Sequence, residues 1–365
     1  MPKKKVIDEV VKQAEERHTK KKEAKSPGIK AYTGATLLDC VVGGGYPFGS
    51  MIQLYGDSQS GKTYMAIECI AHARQTFGKK LKWFYDDAEA GFNFDTQSMY
   101  GFEMLPKDKE DRSDTIEEFA SRLKRELNKL KKDELLIYVV DSFDGLGSEA
   151  EKVRDAERQK AFENGKVYEK GTFAMEKQKF ASEFFRNRIR EIRNKNCLLI
   201  VISQVRTDIG KTFGDKDSVS GGKALKFYST FRIKLSEVEK VKKKKRDISA
   251  TIKAKAVKAR IHRPFRECFI NLIFDYGIDN IGSNIDFLYD LKTEQGREKL
   301  KKDQKKVEWD GKEYSRNKLI QHIEENDLEE ELIQRVKDEW DRIEDSIATK
   351  RKDKWVTKID STPRN

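Results

Sequence analysis

The chain has 365 residues, and Lys+Arg exceed Asp+Glu by 75 to 63, a formal net charge of +12. That length accommodates one large core plus a smaller module. The basic balance favours a polyanionic partner, although with charged residues at 38% many basic side chains must simply be solvated. No apolar run approaches the roughly 18 residues that span a bilayer, and no apolar segment follows the lysine-rich start, so neither a membrane span nor a secretory leader is expected. The expected location is cytoplasmic, in a nucleoid or a host cytoplasm. Cys40, Cys69, Cys197 and Cys268 show no C-x-x-C spacing and read as reduced core thiols, and the four histidines form no metal pattern.

In chain order, Pro2 to Lys25 is highly charged but places Val6, Ile7, Val10, Val11 and Ala14 at helical spacing. A lone helix with one narrow apolar face needs a surface to pack on, within the chain or on a neighbouring subunit. Ser26-Pro27-Gly28 ends it. From Tyr32 the pattern becomes α/β: continuous apolar runs at Met51–Tyr55, Leu81–Asp86, Leu135–Val140 and Cys197–Ile202 alternate with helical stretches, the sequence form of a parallel sheet covered on both faces. Phe231–Leu235, Ser249–Val257 and Cys268–Phe274 follow as shorter strands, an expected antiparallel extension with the lysine-rich Lys240 to Arg246 at a turn. After Asp279 the pattern shifts to helices at Ser283–Lys299, Ser315–Asn326 and Leu328–Ile347, with a hairpin-like turn at 307–311. The division is therefore 1–30 (helical segment and linker), 31–278 (core), 279–348 (small α-rich domain) and 349–365 (basic tail).

The chemistry centres on Gly56-Asp57-Ser58-Gln59-Ser60-Gly61-Lys62-Thr63, a full match to the phosphate-loop pattern G-x-x-x-x-G-K-[ST], with a strand before it and a helical stretch, Tyr64 to Phe77, after it. Backbone N–H groups and the helix N-terminus would cradle phosphate, Lys62 would reach the outer phosphates, and Thr63 would bind Mg²⁺. Asp141 ends a buried strand at the ligand-binding edge of a parallel sheet, where it can share that Mg²⁺ shell. Asp86, Asp87 and Glu89 end a second strand. Glu89 is the chosen base for an attacking water; its alternative is a solvated loop acid. Gln204 ends a fourth strand, where a glutamine could sense the terminal phosphate. The glycine-bearing Thr207 to Gly222 after it is long enough to be a functional loop.

Ser203-Gln204-Val205-Arg206-Thr207-Asp208-Ile209-Gly210, Phe213-Gly214 and Gly221-Gly222-Lys223-Ala224-Leu225-Lys226-Phe227-Tyr228-Ser229-Thr230-Phe231-Arg232 resemble the second DNA-binding loop and following helix of the bacterial RecA recombinases. The phosphate loop, Asp87-Ala88-Glu89, Asp141-Ser142 and Lys258-Ala259-Arg260-Ile261-His262-Arg263-Pro264-Phe265 resemble the same family in the same order, over roughly Tyr32 to Ile278. The resemblance implies a RecA-like phosphate-loop ATPase core with a mostly parallel central sheet, an N-terminal helix and a small α-rich C-terminal domain. It implies a helical filament on single-stranded DNA, with ATP and Mg²⁺ buried between neighbours, that pairs and exchanges strands with homologous duplex DNA. It also implies help from single-strand-binding and loading proteins. Glu89 is similar to the family's catalytic base and Gln204 to its switch glutamine. Lys258 and Arg260 are similar to two cations that reach a neighbour's ATP, and Phe274 to an aromatic near adenine. Lys226, Phe227 and Arg232 resemble interface contacts, while Arg186, Arg206, Ile209, Ser218, Gly221 and Gly222 match DNA-contacting positions.

Three departures stand out. Arg260 replaces a family lysine, so charge transfers but geometry does not. Gln159 to Thr172 matches the first DNA loop poorly, and Lys240 to Arg246 reads equally as a phosphate binder or a solvated turn. The family's acidic tail gives way to a basic end, which with the compact C-terminal region suits a virus-encoded or divergent member. A ring helicase of the same fold, or an ATP-switched coating filament that exchanges no strands, are the alternatives. If an acidic tail restrains duplex binding, this chain binds duplex DNA more freely; a truncation after Ile347 is then expected to weaken duplex affinity, and unchanged affinity across several salt concentrations would refute the idea.

Overall fold

The structure is a computed structural model that describes residues 28–105, 112–164, 174–207, 217–219, 222–291, 306–349 and 351. The expected N-terminal helix and the basic tail beyond 351 lie outside the described residues. The elements are β1 (Lys30–Ala31), α1 (Thr36–Val42), β2 (Tyr46–Pro47), β3 (Ser50–Gly56), α2 (Lys62–Phe77), β4 (Leu81–Asp87), α3 (Thr96–Tyr100), α4 (Ile116–Lys129), β5 (Leu135–Asp141), α5 (Glu149–Glu163), α6 (Ala174–Asn194), β6 (Cys197–Thr207), β7 (Asp217–Val219), α7 (Gly222–Tyr228), β8 (Phe231–Lys243), β9 (Arg246–Ala259), β10 (Glu267–Ile273), β11 (Gly277–Asp279), α8 (Asn280–Leu288), β12 (Lys306–Trp309), β13 (Lys312–Ser315), α9 (Arg316–Glu325) and α10 (Glu329–Ser346).

A nine-stranded sheet runs β11-β10-β9-β8-β3-β6-β5-β4, with β7 on β6. Pairs β8/β3, β3/β6, β6/β5 and β5/β4 are parallel. Every residue of β3 and of β5 is buried, as the unbroken apolar runs require of strands covered on both faces. One covering face is built by α4, whose Ile116, Phe119, Leu123 and Leu127 form a single apolar stripe. Thr115 caps this helix by accepting from the Glu118 N–H at 3.2 Å. Phe119 packs edge-on to Tyr138, Phe143 and Phe184, which joins α4, β5 and α6 into one core. The thiols of Cys69, Cys197 and Cys268 are buried, and burial pushes all three up, away from the reactive thiolate.

The chain divides into two compact units, the second formed by 269–271 and 279–365. In the second unit α8, α9, α10 and the β12–β13 hairpin enclose Ile285, Val307, Trp309, Leu319, Ile323 and Leu332. Asp286, buried there, accepts from Arg316 Nε at 2.6 Å and Nη2 at 3.0 Å, a paired fork that neutralises the charge. The helix expected to begin at Ser283 begins instead at Asn280, where Asp279 caps it by accepting from the Gly282 N–H. It ends at Leu288, before Asp290 turns left-handed at φ 54°; residues 292–305 are outside the described set.

The strands expected at Phe231–Leu235 and Ser249–Val257 are much longer, 13 and 14 residues. The residues that lengthen β8, Ser236–Lys243, are mostly exposed and include three lysines, and those that lengthen the start of β9, Arg246–Ile248, are exposed, so neither addition carries an alternating apolar signal; antiparallel pairing joins the two. Lys243 pairs with Arg246 across a two-residue turn in which Lys244 and Lys245 take φ 49° and 65°. That is the type I′ form, which favours Asn-Gly over branched or long side chains. Lys245→Gly is expected to stabilise the protein by about 0.5–1 kcal/mol in urea unfolding, because relief of left-handed strain exceeds the added chain entropy.

Candidate nucleotide and DNA site

The loop after β3 is shaped by close approach. A Cβ at Gly56 would lie 2.0 Å from the Leu235 carbonyl oxygen, so β3 can pass β8 there only as glycine. Gln59 and Gly61 turn left-handed at φ 62° and 79°, and Gly61 opens α2. Asp57, Ser58 and Gln59 are exposed, whereas Ser60 and Lys62 are buried. Lys62 Nζ donates to Gly56 O at 3.1 Å, Asp57 O at 2.6 Å and Ser60 Oγ at 3.3 Å, so all three ammonium donors point into the loop. Burial lowers the Lys62 pKa, and Asp141, Asp57, Asp144 and Glu89 pull against that shift.

Thr63 Oγ1 donates to Asp141 Oδ2 at 2.8 Å, joining the first turn of α2 to the end of β5. The same oxygen accepts from the Tyr85 hydroxyl at 2.6 Å, and Ser142 Oγ donates to Oδ1 at 3.1 Å. The Asp141–Ser142 peptide is cis. Among the described residues no group of three or more His, Cys, Asp and Glu could hold a metal by itself. The hard oxygens of Thr63 and Asp141 do fit Mg²⁺, which takes one or two protein ligands and completes its shell with phosphate and water.

The three acids at the end of β4 and just after it separate by environment. Asp86 is buried and accepts from the Ser113 N–H at 2.8 Å, Ser113 Oγ at 2.7 Å and the Tyr138 hydroxyl at 2.8 Å. Asp87 accepts from the Gly91 and Phe92 N–H groups and shapes the following turn. Glu89 remains on the exposed side, where Gln204 Nε2 donates to its Oε1 at 3.1 Å and Oε2 at 3.4 Å. Burial and the charges of Asp141, Asp144 and Asp87 raise the Glu89 pKa, against a lowering hydrogen bond from Ser142. Asp144, which sequence reasoning passed over, accepts from the Gln204 N–H and so fixes the glutamine backbone. Its signal was a second acid three residues after Asp141.

A cavity of about 440 Å³ adjoins the loop, lined by Gln59 to Thr63 together with Tyr64, Phe94, Lys240 and Phe274. Lys240 Nζ lies 3.5 Å from Gln59 Oε1 and 3.4 Å from Glu237, so the first lysine of the basic run belongs to this cavity. A larger depression of about 980 Å³ sits along edge strand β4 beside Arg74, Trp83 and Phe102 and contains no loop residue; the chemistry lies in the smaller one.

The family model described as RecA N-terminal domain matches residues 5–279. The chain belongs to the RecA family. The mitochondrial DNA repair protein recA homolog of Dictyostelium discoideum is 31% identical over 288 residues, which cover 74% of this chain and 59% of that protein. Protein RecA of Clostridioides difficile is 28% identical over 289 residues, 74% of this chain and 76% of that one. The RadB recombinase structure aligns with 68% of this chain and 98% of its own at a TM-score of 0.47 and 20% identity. Membership assigns the chain to the ATP-dependent proteins of homologous recombination, a family of DNA-dependent ATPases.

The residues that resemble RecA DNA contacts are partly described. Arg186 is exposed on α6, Arg206 pairs through its backbone with Ser218 in the β6/β7 ladder, and Gly222 opens α7. Ile209 and Gly221 lie outside the described residues, as does 165–173; the start of the poorly matching 159–172 stretch is the end of α5.

Two residue sets that sequence reasoning treated separately meet at the end of α7. Lys258 Nζ donates to the carbonyls of Lys226 at 2.6 Å and Phe227 at 2.8 Å, and Arg260 donates to the Phe227 carbonyl. These cations satisfy carbonyls that a helix terminus leaves open. Phe227 itself is 65% exposed. Arg232, which resembles an interface contact, is 6% exposed within the chain, donating to Gln53 Oε1 at 2.7 Å and lying over the Tyr55 ring at 4.7 Å. A buried glutamine on β3 needed a partner, and Arg232 supplies it.

Partial burial together with Arg260, Arg232 and Lys226 pushes Lys258 down to about 8. At pH 8 this amine is then about half neutral, whereas an ordinary lysine is almost wholly charged. Peptide mapping after brief labelling with an amine-reactive ester at pH 8 is expected to find Lys258 modified several-fold faster than surface lysines; labelling no faster than theirs refutes the shift.

Proposed function

We propose that this chain is a recombinase that assembles on single-stranded DNA as a helical filament, hydrolyses ATP between neighbouring protomers, and pairs and exchanges strands with homologous duplex DNA. The observation that carries the reading is the Glu89–Gln204 contact at 3.1 Å, because it ties the acid beside the phosphate loop to the strand that leads into the glycine-bearing segment. A change at the terminal phosphate that moved either side chain would be felt by the other, and so by the DNA-facing residues Arg206, Ile209, Ser218, Gly221 and Gly222.

Within the site, Gly56 to Gly61 cradle the phosphates through backbone N–H groups and Lys62 holds the outer ones. Thr63 and Asp141 would hold Mg²⁺, which when bound neutralises charge on the phosphate oxygens. Glu89 takes the proton of the attacking water, and Phe274 borders the base. Lys258 and Arg260 act on a neighbour's nucleotide. Register supports this: Lys258 pairs with Arg232, three residues before the Leu235 that meets Gly56, roughly 10 Å of strand from the chain's own loop. Lys226 and Phe227, joined to these cations, form the interface with them, and Arg186 adds a cation for the DNA backbone. In this reading residues 1–30 serve polymerisation, 31–278 are the ATPase core, 279–348 a second domain and 349–365 a basic tail. Single-strand-binding and loading proteins assist, in a nucleoid or host cytoplasm.

The test is ATP hydrolysis by the full chain with and without single-stranded DNA, beside strand exchange on matched and unmatched duplexes. DNA-stimulated hydrolysis and exchange on matched DNA alone are expected. Glu89→Gln should lower kcat by about 10²- to 10⁴-fold while filaments persist, and Lys62→Ala should weaken both. Because the Glu89 pKa is raised above 4.5, protonation removes the base, and turnover should fall on acidification at a higher pH than an ordinary glutamate would give. Hydrolysis indifferent to DNA, with no polymer on electron micrographs, would refute the proposal.

A further inference from the structure

Tyr85 is fully buried in β4, yet its hydroxyl reaches out of that strand to Asp141 Oδ2 at 2.6 Å. Thr63 donates to the same oxygen at 2.8 Å and Ser142 to the other at 3.1 Å, so donors from three segments hold one carboxylate by both ends. A carboxylate offers about four acceptor positions, and three of them are used. The Tyr85 ring is held in turn. Phe92 lies edge-on to it at 5.0 Å, Phe94 edge-on to Phe92 at 5.3 Å, and Tyr64 edge-on to Phe94 at 4.7 Å. Tyr64 and Phe94 border the 440 Å³ cavity, so a ladder of four rings runs from that cavity to the carboxylate beside Thr63. Phenylalanine at position 85 would fill the same space, so packing alone does not account for the hydroxyl.

We propose that Tyr85 is a positioning residue for Asp141, its hydroxyl fixing the rotation of the carboxylate that would hold Mg²⁺, with the ring ladder fixing the hydroxyl. This rests on the nucleotide-site reading above. Partners that orient a metal-binding side chain typically change metal affinity by about 10- to 100-fold when removed, and that is the scale on which Tyr85 acts.

The experiment is calorimetric ADP binding by the full chain in Mg²⁺ and in EDTA, compared as the ratio of the two affinities. Tyr85→Phe is expected to shrink the Mg²⁺ gain about tenfold or more. Phe92→Leu, which keeps the hydroxyl but loosens its support, is expected to shrink it less, in the same direction; this variant carries the test if Tyr85→Phe does not fold. An equal loss with and without Mg²⁺ marks a purely structural tyrosine and overturns the proposal, as does an unchanged ratio in a folded variant. Failure of the wild-type chain to bind ADP in either buffer overturns the nucleotide-site reading itself and this inference with it.

Discussion

Parallel strands that end on one edge in fixed register are the constraint on which everything else in the site depends. Gly56 on β3 stands opposite Gln204 on β6, and Asp87 on β4 stands opposite Asp141 on β5. Residues far apart in sequence thereby arrive together without any loop having to search for them. The cost of ordering the backbone is met by strands buried on both faces, and the polar groups at their ends then find preset partners. A one-residue slip of β6 against β3 would turn the Gln204 side chain to the other face of the sheet and break its contact with Glu89. The arrangement of these side chains is a property of the ladder before it is a property of any one of them.

The opposite end of the same strands carries a different chemistry. Lys258 and Arg260 sit on the last carbonyls of α7, the helix that follows the glycine-bearing segment. Arg232, buried one strand away, links to Gln53, and Gln53 Nε2 donates to Ser203 Oγ at 3.2 Å, next to Gln204. A short run of polar groups, Arg232, Gln53 and Ser203, therefore crosses three adjacent strands, β8, β3 and β6, in the middle of the sheet. Buried networks of this kind persist where each member is satisfied, since a half-satisfied one costs more than an apolar core.

Much of this was legible in the chain itself. The phosphate loop and the strands through Met51 and Leu135 announce themselves, because a pattern with rigid backbone demands and an unbroken apolar run leave few alternatives. Glu89 was legible as one of three acids; what separates it from Asp86 is Ser113 and Tyr138, whose proximity no local spacing reveals. Tyr85 was hidden for a related reason, since a tyrosine in a buried strand reads as core until its hydroxyl is seen on Asp141. The bond from Arg232 to Gln53 was hidden because its partner lies 179 residues earlier. The far end of β8 and the first three residues of β9 were missed because an exposed ribbon tip needs no apolar alternation.

The cations gathered around the end of α7 have a further meaning. Lys258 is disfavoured as a charged group first by burial and then by Arg260, Arg232 and Lys226, so the chain holds a pocket of like charges that helix carbonyls only partly offset. Any polyphosphate brought alongside by another copy would discharge it. Salt, by screening these charges, would relieve that repulsion.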